Sequence, residues 1–170
     1  MNFKNFSNKK VRVCIYAISL FMIGMFLQTA LPGMPNPSPI PGGQYINSDQ
    51  YIKSGQYLVS DSGKYFAFMQ NDGNFCVYKG SGPNDNQGVV WCVTNIPKPI
   101  GNYYAIMQGD GNFCVYKGSG PNDNQGVVWC VTNIPKPIGD YFAIMQDDGN
   151  FCVYNGSPKH QGAVVWCCKK

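Results

Sequence analysis

From Gln44 onward, apolar residues occur in short segments separated by turn-forming residues, with no helical periodicity and no long apolar run. Examples are YFAFMQ at 65–70, NFCVY at 74–78 and GVVWCVT at 88–94. Short segments that are rich in aromatic and β-branched residues, and bounded by Gly, Pro, Asn or Asp, are typical of strands. The pattern therefore predicts an all-β domain.

Alternation within NFCVY assigns the two faces of its strand. Phe75 and Val77 share one face, whereas Asn74, Cys76 and Tyr78 share the other. Because Phe75 and Val77 are apolar, we expect their face to contact the core. Asn74 and Tyr78 should then face outward.

One ten-residue segment occurs three times, as MQNDGNFCVY (69–78), MQGDGNFCVY (107–116) and MQDDGNFCVY (145–154). The spacing is constant at 38 residues (107 − 69 and 145 − 107), and residues 72–101 recur without change as 110–139. A fixed period of this length indicates one supersecondary unit used three times around a shared core. Any ligand site in the unit should therefore be present up to three times.

Each unit contains the same turn signal and the same tryptophan position. An Asp-Gly pair before NFCVY predicts a tight hairpin, because both residues tolerate positive φ. One tryptophan per unit precedes a cysteine, and a buried ring of this size removes on the order of 200 Å² from water. We expect Trp91, Trp129 and Trp166 to be central packing anchors around a pseudo-threefold axis.

Charge is sparse and unevenly placed. The formal charge of +4 comes from Lys4, Lys9, Lys10 and Arg12, whereas nine Lys face nine Asp from Gln44 onward. A neutral domain without basic clusters does not match the electrostatic footprint of nucleic-acid binding, so no nucleic-acid partner is expected.

The first 30 residues have the organisation of a secretory signal: basic residues, the apolar run Val11–Leu27, and a small residue at Ala30. The alternative is an uncleaved anchor, because this run of 17 residues approaches the length that spans a bilayer. Residues 31–43 are rich in Pro and Gly and predict a linker. The domain should then occupy residues 44–170 and be secreted, or be membrane-anchored outside the cell if the segment is retained.

The polar residues of the repeated segment match the pattern Gln-x-Asp-x-Asn-x-Val-x-Tyr of the bulb-type (monocot) mannose-binding lectins. The chain resembles that family over roughly residues 44–167, and residues 45–70 are similar to its opening strands. Three in-phase copies make the resemblance specific. The matching residues are Gln70, Asp72, Asn74 and Tyr78, then Gln108, Asp110, Asn112 and Tyr116, then Gln146, Asp148, Asn150 and Tyr154.

This resemblance implies a β-prism II fold of three four-stranded sheets, with one mannose held by each motif. In the first copy Asp72 and Asn74 would bind the axial 2-hydroxyl, Gln70 the 3-hydroxyl and Tyr78 the 4-hydroxyl. One carboxylate, two amides and a phenol provide the mixed donors and acceptors that a neutral polyol needs. A mannose-binding lectin with weak, multivalent sites is thus the leading hypothesis, without cofactor or metal.

The family's valine position is a cysteine in every copy. If Trp91 pairs with Val77, then Cys76 lies opposite Cys92 at a separation close to what a disulfide bridges. We therefore favour within-unit disulfides over free thiols, with Cys167 or Cys168 left over. The candidates are Cys76, Cys92, Cys114, Cys130, Cys152 and Cys167. Such sulfurs either replace the valine contact with sugar or reshape the pocket.

Catalytic chemistry has little support. The chain has no Glu and one histidine, His160, which lies in the variable loop of the third unit. Motif carboxylates come singly rather than in the pairs of glycoside hydrolases, so we do not expect an enzyme. The alternative function is a prism scaffold for protein contact, as in adhesins or lectin-like toxins, in which the cysteines have altered or displaced sugar binding.

Two arrangements are open for the last sheet, because members of this family often exchange their C-terminal strand. Either the segment near Tyr45 closes the sheet, or an edge strand stays open for a partner. In the second case Cys168 could bridge a homodimer.

The signal hypothesis predicts cleavage after Ala30. N-terminal sequencing of the secreted protein should begin at Leu31. A mature chain that begins at Met1 would contradict cleavage and favour the anchor.

Overall fold

The computed structural model describes residues 38–40, 43–94, 98–132 and 136–169. The proposed signal segment and most of the proposed linker lie outside these residues. The described part contains strands only, namely β1 (Ser38–Pro39), β2 (Tyr45–Asn47), β3 (Tyr51–Lys53), β4 (Gln56–Val59), β5 (Tyr65–Met69), β6 (Phe75–Lys79), β7 (Val89–Cys92), β8 (Tyr103–Met107), β9 (Phe113–Lys117), β10 (Val127–Cys130), β11 (Tyr141–Met145), β12 (Phe151–Ser157) and β13 (His160–Cys167).

The strands form three sheets, one for each repeat unit. The sheet orders are β1-β4-β5-β6-β7, β10-β9-β8-β3 and β13-β12-β11-β2. Three consecutive antiparallel strands of each sheet come from one unit. The fourth strand comes from the opening segment 45–59, which contributes β2, β3 and β4 to three different sheets. The predicted β-prism with pseudo-threefold repeats is confirmed.

The first sheet has one more strand than expected. Strand β1 pairs in parallel with β4 at the sheet edge, and the Ile40 amide donates to the Tyr57 carbonyl at 3.1 Å. An edge position is where a proline-containing strand is tolerated, because proline lacks the N–H that a central strand must donate.

The segment near Tyr45 closes the third sheet. Strand β2 pairs antiparallel with β11, with Ile46 opposite Ala143. Strand β13 of the same chain covers the other side of β12. Of the two arrangements left open by the sequence, this is the closed one.

Two rings of aromatic side chains lie on the pseudo-threefold axis. Phe75, Phe113 and Phe151 are fully buried, with ring centroids 4.9–5.0 Å apart. The three tryptophans also contact one another, at 5.3–5.7 Å, but they are only partly buried. The tryptophans therefore surround the axis as predicted, whereas the phenylalanines, assigned only to the core side of a strand, occupy its most buried part.

The units also interlock through their hairpin turns. Each turn glycine has φ near +76° and lies against a tyrosine of the next unit in the cycle. A Cβ at Gly73 would lie 2.8 Å from the Tyr103 ring, and the other contacts are Gly111 with Tyr141 and Gly149 with Tyr65. Glycine is therefore required twice over, by the left-handed backbone and by the close approach.

Among the residues that the structure describes, none belongs to a helix with the length and hydropathy needed to cross a membrane.

The cluster of three phenylalanines on the axis should contribute much of the free energy of unfolding. Phe113→Ala removes a fully buried aromatic side chain that the other two rings enclose, so it should cost about 3–5 kcal/mol of unfolding free energy. Guanidinium unfolding of the oxidised protein measures the loss. The control is Ile138→Ala, at a side chain 85% exposed, which should change stability by less than about 0.5 kcal/mol. Similar costs for both variants would contradict the assignment.

Candidate functional site

Each copy of the motif is built on the hairpin turn between two strands of its sheet. In the first unit the Gln70 backbone N–H donates to the Asn74 backbone carbonyl at 2.9 Å, which closes the turn. The Asp72 Oδ1 accepts the Asn74 amide at 3.0 Å. The corresponding Asp-to-Asn contacts are 3.1 Å at Asp110 and 2.8 Å at Asp148. One oxygen of each aspartate thus shapes the turn.

The glutamine and the tyrosine of each motif contact each other directly. Gln70 Nε2 donates to the Tyr78 hydroxyl at 2.6 Å, and the equivalent bonds are 3.2 Å in the second unit and 3.0 Å in the third. The Tyr78 ring stacks on Phe66, with centroids 5.2 Å apart. Tyr116 stacks likewise on Tyr104, and Tyr154 on Phe142. The phenol is therefore held in place from two sides.

A disulfide lies beside this pair in every unit. The register places Cys76 opposite Cys92 and Val77 opposite Trp91, and the bridges are Cys76–Cys92, Cys114–Cys130 and Cys152–Cys167. This is the within-unit pairing expected from the sequence, and Cys168 is the remaining thiol among the described residues.

The disulfide sulfur contacts the motif glutamine. Cys76 Sγ is 3.7 Å from Gln70 Oε1, and the distances are 3.4 Å and 3.2 Å in the second and third units. A disulfide sulfur carries no proton, so these are packing contacts rather than hydrogen bonds. The first cysteine of each pair is buried. The sulfur therefore lies beneath the glutamine, where the family pattern has valine.

The asparagine is the motif residue with the most internal contacts. Asn74 Nδ2 donates to the Thr94 carbonyl at 2.9 Å, and Asn74 Oδ1 accepts the Thr94 amide at 3.2 Å. Asn112 makes the same two bonds with Thr132. Asn74 is only 9% exposed. The Asn74 side-chain amide thus holds the segment after β7 against the hairpin turn. Among the described residues, one of its two Nδ2 protons has no acceptor and is available to a ligand.

In the third copy the asparagine makes the same pair of backbone hydrogen bonds with a different partner. Asn150 bonds both the amide and the carbonyl of Lys169, at 2.9 and 3.3 Å. The Cys168 thiol donates to Asn150 Oδ1 at 3.3 Å. Because Cys168 and Lys169 stand where the first two units have valine and threonine, the third site is the least regular of the three.

Electrostatics ties the aspartate to the tyrosine in the first copy. Burial is the main cause that raises the pKa of Tyr78, and the negative charge of Asp72 raises it further. The hydrogen bond from Gln70 acts in the opposite direction, because a donor stabilises the phenolate. Asp72, Gln70 and Tyr78 are thus close enough to influence one another.

An apolar residue beside each motif escaped the sequence analysis. Tyr78 pairs across the sheet with Val89, Tyr116 with Val127, and Tyr154 with Val164. These valines are 64%, 64% and 58% exposed. A register shift next to each pair leaves one residue of the valine strand unpaired, so simple alternation does not assign the face. The shared GVVW and AVVW segments were the available signal.

Among the described residues, no group of three His, Cys, Asp or Glu side chains is arranged to hold a metal ion. His160 lies exposed in β13, away from the three motifs.

Comparison with known proteins places the fold. No protein-family model matches the chain, and no curated protein matches it. Solved structures do. Monomeric monocot mannose-binding lectins from Gastrodia elata are 27% identical with a TM-score of 0.58, over 75% of this chain and 97% of theirs.

Two further structures match similarly. A Marasmius oreades lectin is 27% identical with a TM-score of 0.57, over 78% of this chain and 96% of its own. The mannose-specific agglutinin of snowdrop (Galanthus nivalis) bulbs, solved with methyl-α-D-mannoside, is 26% identical with a TM-score of 0.53, over 70% and 99%. The chain is similar to these lectins and shares their β-prism fold.

The raised pKa of Tyr78 predicts the direction in which folding stability changes with pH. Its folded pKa lies above 10.0, so the unfolded phenol ionises first and folding stability falls as pH rises from about 10 through the folded pKa. Tyr78→Phe should lack this loss. Gln70→Ala should raise the Tyr78 pKa and Asp72→Asn should lower it, as followed by NMR of the tyrosine Cζ carbon.

The control is Asp61→Asn, at an exposed carboxylate that is not among the causes of the shift. If the Tyr78 pKa in Gln70→Ala and in Asp72→Asn is the same as in the Asp61→Asn control, the contacts described for Tyr78 are contradicted.

Proposed function

We propose that the protein is a secreted carbohydrate-binding lectin that recognises mannose-type sugars through up to three copies of the Gln-Asp-Asn-Tyr motif. The observation that carries the proposal is the repeated contact between glutamine and tyrosine beside an aspartate, three times on one scaffold. The relatives from Gastrodia elata and snowdrop, both described as mannose-binding or mannose-specific, support it.

Each motif offers groups that suit a hydroxyl-rich ligand. Asp72 uses Oδ1 in its turn, so Oδ2 is the acceptor for the 2-hydroxyl. The second Nδ2 proton of Asn74 serves the same hydroxyl. Gln70 and Tyr78 would bind the 3- and 4-hydroxyls by exchanging part of their mutual bond for bonds to sugar. The exposed Val89 adds an apolar surface next to the phenol.

Binding at one site should be weak. A neutral hydrogen bond contributes only about 0.5–1.5 kcal/mol net, so a few of them on an open surface correspond to roughly millimolar affinity. Clustered or branched glycans that reach two or three motifs would gain avidity of about 10²–10⁴.

Specific contacts favour one second candidate, a non-catalytic prism scaffold for protein contact. The buried disulfide lies against the glutamine carbonyl oxygen and the asparagines are bonded internally, so part of each motif's polar surface is already occupied. In that case the cysteines stabilise a surface whose sugar binding is altered or lost. Neither candidate is an enzyme, because motif carboxylates come singly.

The three disulfides suit an oxidising compartment, which supports secretion as part of the proposal. Cleavage of the N-terminal segment would release the domain, and retention would anchor it with the domain outside. With the third sheet closed within one chain, a homodimer would depend on the partly exposed Cys168 thiol alone, and non-reducing electrophoresis tests this proposal.

Retention on mannose–agarose tests the lectin function. Wild-type protein should bind and elute with free mannose. Asp72→Ala, Asp110→Ala and Asp148→Ala combined should lose retention, because each removes the acceptor for the 2-hydroxyl. Single variants should lose it only partly, because two motifs remain. Near-UV circular dichroism checks that the fold persists.

A matched control removes carboxylates outside the motifs. Asp61→Ala with Asp140→Ala, both exposed, should retain full binding. If correctly oxidised wild-type protein binds neither mannose nor any glycan on an array, the scaffold function is the better account.

A further inference from the structure

A cleft of about 290 Å³ lies at the junction between the first and second units. The segment that leaves the first unit forms one side, and the sheet of the second unit forms the other. This volume is close to the lower limit of about 300 Å³ for small-ligand sites, so the cleft suits a single small unit rather than a chain of them. The lining residues are Lys98, Pro99, Tyr103, Lys117, Gln125, Gly126, Val127 and Val128.

Two lysines give the cleft its charge. Lys117 lies opposite Tyr103 in the β8–β9 pair, and Lys98 reaches the same cleft from the preceding segment. Neither ammonium has a hydrogen bond or an ion pair within the part of the chain that the structure describes. Asp123 is the nearby acid, since it accepts Gln125 Nε2 at 3.0 Å. Its other oxygen accepts the amide and hydroxyl of Ser119.

Apart from Gln125 and Gly126, the rest of the lining consists of Pro99, Val127, Val128 and the Tyr103 side chain. The Tyr103 hydroxyl donates to the Pro99 carbonyl at 2.8 Å, which joins the two sides of the cleft. Val127 is 64% exposed beside it. Tyr103 is only 3% exposed, so Pro99 and Val127 supply the accessible apolar surface for the C–H face of a pyranose. The ammonium groups suit a negative substituent on the sugar ring.

The cleft adjoins the motif of the first unit. The Lys98 amide donates to the Asp72 carbonyl at 2.7 Å, and Lys98 Cγ would lie 3.1 Å from a Cβ placed on Gly73. A glycan held at the Asp72 motif therefore has the cleft next to it.

We propose that the cleft formed by Lys98, Tyr103 and Lys117 binds an acidic saccharide unit through its carboxylate or sulfate group. The site contains none of the twelve motif residues, although it shares Val127 with the surface beside the second motif. Its use for glycans that also occupy the Asp72 motif rests on the function proposed above, whereas recognition of the anionic unit itself does not.

The other two junctions lack one of these lysines or use it elsewhere. Between the second and third units, Lys136 is the counterpart of Lys98, but Asn155 rather than lysine lies opposite Tyr141. Between the third and first units, Lys79 lies opposite Tyr65, but the Lys169 ammonium already donates to the Asp148 carbonyl at 3.0 Å. The cleft at Lys98 and Lys117 thus has its own charge pattern.

Titration with small probes tests the site. Methyl β-D-glucuronide should bind more tightly than neutral methyl β-D-glucoside, with NMR shifts at Tyr103 and Val127. Lys117→Asn, which copies the third unit, and Lys98→Gln should each weaken glucuronide binding about fivefold, the most that an exposed ion pair supplies. Raised salt should weaken it also. Galactose 6-sulfate against galactose tests the sulfate source in the same way.

Lys136→Gln is the control and should leave acidic-probe binding unchanged. The proposal is overturned if wild type binds neither acidic probe better than its neutral partner, or if Lys98→Gln and Lys117→Asn bind them as wild type does. Methyl α-D-mannoside in the same samples keeps the two proposals apart. The triple aspartate variant should lose mannoside binding and retain glucuronide binding.

Discussion

Three phenylalanine rings that meet on one axis are the contact on which the architecture depends. Phe75, Phe113 and Phe151 each follow a hairpin turn directly, so the ring of every unit enters the same buried space. The small side chains Ala67, Ala105 and Ala143 are buried in the same core cluster. Repetition of one unit therefore yields a closed object rather than an open array, because each ring completes the burial of the other two.

The candidate site inherits its geometry from that core. Side chains alternate along β6, so the inward placement of Phe75 and Val77 turns Cys76 and Tyr78 to the opposite face. The disulfide then joins β6 to β7, and the glutamine at the end of β5 lies over the sulfur. Core packing, cross-strand covalent bond and polar surface are thus successive layers of a single sheet. A change in one layer is transmitted to the next.

Much of this could be predicted from the sequence, because the repeat multiplies every local signal by three. Strand type and hairpin turns follow from alternation and spacing, and the Cys76–Cys92 pairing follows once Trp91 is assumed to lie opposite Val77. The phenylalanine ring and the exposed Val89 could not be predicted in the same way. The first depends on how three distant units meet, and the second on a register irregularity that alternation does not contain. The internal bonds of Asn74 likewise require the chain beyond Trp91 to return to the turn.

The opening segment has a consequence for how the molecule is assembled. Residues 45–59 supply the outer partner of β5, β8 and β11 in turn, and the Ser48 amide bonds the Tyr141 carbonyl 93 residues away. No unit can complete its sheet until this short stretch is in place, although it is synthesised before all of them. Such non-local pairing slows folding. It also means that a single proteolytic cut near Val59 would weaken all three sheets together, because these fifteen residues complete each of them.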